Sequence, residues 1–151
     1  MNKIHIILLT LLLALPSALI HAEGDKPAPS KPKHEDSELE KSMDILDKAW
    51  RKLRKQADDP AKNASSLELM TTISAAGKEN LKYAPDLARD QPADKRDKFI
   101  AGYQEKMKEV NAAFDQLTAH FKADDNKAAV ELIAKIGTMK KDGHKEYKRP
   151  D

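Results

Sequence analysis

From residue 37 onward, apolar positions fall in a helical rhythm. Leu39, Met43, Leu46, Trp50, Leu53 and Ala57 recur at spacings of 4, 3, 4, 3 and 4. That draws one narrow apolar stripe along a helix of about twenty residues. Ser37 and Glu40 have the S-x-x-E spacing of a capping box, which marks the helix start. Asp58, Asp59 and Pro60 mark its end. A second helix is expected from Asn63 or Ser65, with Ser65 and Glu68 as a second capping box. Leu69, Ile73, Ala76 and Tyr83 supply part of its apolar face, Gly77 and Asn80 interrupt that face, and Pro85 stops it. The connection from 84 to 95, APDLARDQPADK, is the longest inside the domain.

The third helix opens after Asp90, with Pro92 near its first turn. Ile100, Tyr103, Met107, Val110, Phe114, Leu117 and Phe121 give the cleanest helical spacing in the chain, and Phe99 sits beside that stripe. Asp124, Asp125 and Asn126 form a turn and cap, and a fourth helix carries Ala129, Leu132, Ile133 and Ile136. His144 follows Ile133 by a whole number of turns to within about 20°. No strand alternation and no internal repeat is present. The pattern predicts an all-α, up-down-up-down antiparallel four-helix bundle over residues 36–151.

The start of the chain changes the picture. MNK, then an apolar run broken by Pro16 and closed by Ala22, is the pattern of a cleavable signal peptide over residues 1–22. Residues 23–35, EGDKPAPSKPKHE, cannot bury a core and predict a disordered, Pro/Lys-rich leader. The expected mature chain is therefore exported, with no membrane association after cleavage. The formal charge of +2 falls to +1 once Lys3 is removed, which argues against nucleic acid as a partner. The chain has no cysteine. That excludes disulfides, thiolate metal sites, a cysteine nucleophile and the C-x-x-C-H attachment of covalent haem. No G-x-S-x-G, phosphate loop or H-E-x-x-H occurs, and no enzyme is expected. His34 lies in the leader, His120 near the end of helix three, and Asn63-Ala64-Ser65 forms a glycosylation sequon.

In an up-down bundle the first and last helices are antiparallel neighbours. The start of the first, with Met43, then lies beside the end of the last, with His144. A thioether and an imidazole at one end of the core form a donor pair able to hold haem iron from both sides. Taken singly, each has a plainer role: Met43 as core filler, His144 as a partner of the helix dipole or of solvent.

"LEKSMDILDKAW", "FIAGY" and, much later, "HKEY" resemble the cytochrome b562 family of soluble periplasmic haem proteins. The resemblance runs from about Ser37 to Lys148. It implies one non-covalent haem b per chain, with Met43 and His144 as axial ligands, and single-electron transfer as the activity. It further implies that Leu46, Trp50, Pro85, Phe99 and Tyr103 line the haem pocket, and that Lys140 and Lys148 lie near the propionates. Gly102 matches a glycine between the two aromatics, and Tyr147 a tyrosine just after the ligand. The expected partner is an unidentified periplasmic redox protein with an acidic face, the expected state a monomer. Four departures stand out, the first being a span from Tyr103 to His144 about one helical turn longer than the family pattern implies. Trp50 replaces a smaller apolar residue, and Tyr103 puts a phenol where a plain ring is expected. Gly143 replaces an aromatic and offers a plausible helix stop just before the ligand. The alternative is a haem-free periplasmic bundle with a binding or stress-related role, in which Met43 packs the core and Gly143 caps the helix.

Overall fold

The computed structural model describes residues 37–149. The signal-peptide and leader expectations, on residues 1–22 and 23–35, lie outside the described residues. Four helices make up the described chain: α1 (Glu38–Leu53), α2 (Asn63–Asn80), α3 (Ala93–Lys122) and α4 (Asn126–Tyr147). Short 3-10 turns at Pro60–Lys62 and Asp86–Asp90 occupy the first and second connections. Among the described residues there is no strand, and no helix is long and apolar enough to cross a membrane.

Local chemistry sets the helix ends. Ser37 Oγ accepts from the Glu40 N–H at 3.2 Å, and a Glu40 carboxylate oxygen accepts from the Ser37 N–H at 2.7 Å, so the first capping box forms. The second does not. Asp59 instead accepts from the Ala61 N–H at 3.0 Å and starts a 3-10 turn with Pro60 at its first position. That turn runs straight into α2 at Asn63, and the Ser65 hydroxyl donates to the Lys62 carbonyl at 3.0 Å. The 63–65 sequon is consumed the same way: the Asn63 side chain is buried and donates to Asp124 at 2.7 Å and to Asn126 at 3.0 Å. Asn126 donates in return to Asn63 and to the Ala57 carbonyl, both at 2.8 Å. These polar contacts knot the end of the bundle where α1 and α3 finish and α2 and α4 begin. Asp124 takes the left-handed conformation (φ 53°), and Asp125 caps α4 by accepting from the Ala128 N–H at 3.1 Å.

The core follows the apolar stripes. Leu53, Ile73, Leu117 and Ala129, one from each helix, are fully buried at the knotted end and middle of the bundle. Trp50 packs on Phe114 with ring centroids 5.9 Å apart. Each helix packs on the next in sequence, α1 on α2, α2 on α3 and α3 on α4, but the backbones of α1 and α4 hardly approach each other. The bundle is therefore closed on three sides and parted on the fourth.

Candidate functional site

The parting between α1 and α4 is a cavity of about 490 Å³ at the end opposite the polar knot. α1 contributes Leu39, Met43, Leu46 and Trp50, and α4 contributes Ile136, Met139, Lys140, Gly143, His144 and Tyr147. The back wall is α3, through Tyr103, Met107, Val110 and Phe114. Pro85 and Asp86, from the connection before α3, close one edge. The walls are mainly apolar because the three stripes that should fill a core here face one another across a gap. Most of what a flat apolar guest would touch is hydrocarbon or aromatic ring, the usual lining of a cofactor site.

Both donor residues border this one cavity. Met43 is half-buried. Its Sδ lies 3.3 Å from Asn80 Nδ2, whose N–H donates to it. His144 is exposed and lies on α4, which continues without a break through Gly143 to Tyr147. Gly143 is not a helix stop, and no glycine of the described chain has a positive φ. The imidazole thus starts from a helical backbone facing the cavity.

Of the other expected pocket residues, Leu46, Trp50, Pro85, Tyr103, Lys140 and Lys148 all line the cavity. Phe99 does not. It is half-buried behind the cavity, its ring tilted against Tyr147 at a centroid distance of 5.0 Å. Tyr147 in turn meets the edge of Tyr103 at 5.5 Å, so Phe99 supports the wall from outside. The Tyr103 hydroxyl, an anomaly on an apolar stripe, donates to the Asn80 carbonyl at 3.3 Å. Burial holds its phenol neutral, far above the ordinary tyrosine pKa. Burial, reinforced by the Glu146 carboxylate, pushes the Tyr147 phenol up to about 12.

The rim is charged. Lys106, Lys140, Lys148 and Arg149 stand on it beside Glu40, Asp44, Asp47 and Asp86. Lys140 pairs with Asp47 on α1, across the parting. Arg149 holds Asp90 through two contacts of 2.8 Å, pinning the connection that carries Pro85 to the end of α4. Arg96 secures the same connection to α3 by donating to the Ala88 carbonyl at 3.1 Å.

Sequence reasoning missed Met107, Met139 and Asn80 as neighbours of the site. Met107 was visible on the α3 stripe, but its face toward the cavity was not. Asn80 had left a signal, a polar residue interrupting the apolar face of α2. Among the described residues no group of three or more His, Cys, Asp or Glu side chains could hold a metal ion. The soft donors of this site are thioethers, and its one imidazole comes from α4.

The residues fit haem. The cavity offers apolar and aromatic walls, a thioether and an imidazole on its two facing helices, and cationic side chains at the rim for two carboxylates. Comparison with curated proteins and with solved structures gives no match. The family model for cytochrome b562 matches residues 38–148, from the first residue of α1 to just past the end of α4. That span takes in the whole bundle and every wall of the cavity, and the chain belongs to the cytochrome b562 family of haem-binding electron carriers.

Proposed function

We propose that this protein shuttles single electrons in the periplasm on one non-covalently held b-type haem, with Met43 Sδ and an imidazole nitrogen of His144 as its axial ligands. The observation that carries the reading is the parting of α1 from α4, with the thioether on one side and the imidazole on the other of a single cavity. Bound there, haem supplies a one-electron iron couple. The chain's own residues do the rest. A thioether and an imidazole holding the iron together would leave it no open position and would favour its reduced state, which suits electron transfer over oxygen activation. Leu46, Trp50, Val110 and Phe114 keep water from the inner edge. Lys140 and Lys148, at the mouth, would meet the propionates and offer cationic contacts to an acidic redox partner. Export rests on the signal-like residues 1–22, and a monomer is sufficient because one chain furnishes every wall of the cavity.

Hemin titration of the purified protein tests this. The expected result is saturable one-to-one binding and, after reduction, the sharp bands of a low-spin six-coordinate haem. Met43→Ala and His144→Ala should each abolish the six-coordinate spectrum while leaving the helical circular dichroism intact. A wild-type protein that shows no specific spectrum would instead support the haem-free bundle.

A further inference from the structure

The least expected residue beside the cavity is Asn80. It is the last residue of α2, its side chain is fully buried, and it interrupts an otherwise apolar face. Its backbone carbonyl accepts from Tyr103 on α3. Its side-chain Nδ2 donates to the sulfur of Met43 on α1 at 3.3 Å. Its Oδ1 is buried and accepts nothing. A buried acceptor left without a donor costs stability, and an apolar side chain of similar branched shape, such as leucine, would avoid that cost. Turning the carboxamide over gives no relief, because it would set an oxygen acceptor against the electron-rich sulfur. The polar group thus makes one side-chain contact at the expense of another, and the contact it makes is with the thioether.

From this we infer that Asn80 is a positioning residue for Met43, holding the sulfur toward the cavity and tuning it as a ligand. The inference rests on the proposed role of Met43. A thioether sulfur has two lone pairs; an N–H on one leaves the other to face a metal. The same N–H withdraws electron density from the sulfur and makes it a poorer donor. An electron-poor ligand disfavours the ferric state more than the ferrous one, so the contact raises the reduction potential. It also fixes a flexible side chain before any ligand arrives, which lowers the ordering cost of binding.

Two variants and two readouts decide it. Asn80→Leu removes both the donor and the orphaned acceptor, and Asn80→Asp keeps the shape but exchanges the donor for an acceptor. In the haem-free protein with 13C-labelled methionine methyls, both variants should move and broaden the Met43 resonance and leave that of Met70 in place. In the haem-loaded protein both should lower the reduction potential. A tenfold loss in the preference for ferrous over ferric haem corresponds to about 59 mV for one electron. An unmoved Met43 resonance, or an unchanged potential in both variants, overturns the inference. If wild-type protein takes up no haem, the proposed function fails, and the methyl resonance alone still decides whether Asn80 holds the sulfur. If neither variant folds, the wild-type protein decides. Asn80 side-chain amide protons that exchange slowly and shift on Met43→Ala support the contact, and protons that do neither overturn it.

Discussion

Lys140 on α4 and Asp47 on α1 form an ion pair across the open side of the bundle. Where these two backbones hardly meet, this pair joins them over the mouth of the cavity. Both side chains are about one-third exposed, so the pair is screened and worth at most about 1 kcal/mol.

Its larger effect should be on the ligand. While Asp47 holds Lys140, the cation is partly neutralised before a propionate can reach it. Asp47→Asn should therefore tighten hemin binding several-fold and lower the stability of the haem-free protein by no more than ~1 kcal/mol. Lys140→Met should weaken binding with a similarly small loss of stability. Titrations at low and high salt would check both, since the differences should shrink as salt rises.

The glycines of the helices divide sharply in what a methyl group would meet. At Gly77 an added Cβ would fall 2.2 Å from Asn111 Oδ1 and 3.2 Å from a Phe114 ring carbon. There Asn111 donates to the Gly77 carbonyl at 3.0 Å, sealing α2 onto α3. At Gly137 and Gly143 an added Cβ meets nothing within 4 Å. Gly77→Ala should destabilise the haem-free protein by ~1–2 kcal/mol, because overpacking outweighs the gain in helix propensity. Gly137→Ala and Gly143→Ala should each stabilise it by about 0.5–1 kcal/mol. Urea unfolding measures all three.

Tyr147 gives the protein an alkaline limit. Its phenol titrates higher when folded than when unfolded, chiefly through burial. Its neutral form is shared by both states below pH 10, so stability is fully retained there. Between pH 10 and about 12 the unfolded chain ionises first, and stability should fall by on the order of 1 kcal/mol per pH unit from this group. Tyr103, shifted in the same direction, adds to the loss. Tyr147→Phe should flatten part of the slope between pH 9 and 11.5 in denaturant melts and leave the slope below pH 9 unchanged.

The regular stripes of α1 and α3 were legible because a 3–4 spacing has one structural meaning. The capping box at Ser37 was legible for the same reason. The one at Ser65 failed because Asp59 and Pro60 had already started the chain turning, so α2 began two residues before Ser65 could cap it. The meeting of Met43 and His144 at one cavity followed from up-down topology alone. The pairing of Lys140 with Asp47 did not, since nothing local links residues on different helices so far apart in sequence. Gly77 and Asn80 looked like defects in an apolar face. They are the points where α2 comes close to α3 and reaches Met43.

The two ends of this bundle are built on opposite terms. Asn63, Asn126 and Asp124 lace one end with short, buried polar contacts, and at the other the Lys140–Asp47 ion pair reaches between the first and last helices over an open cavity. A clothes-peg has the same asymmetry: its jaws part because its spring end does not. On that plan, haem uptake should part the open end while the laced end keeps the helices in register.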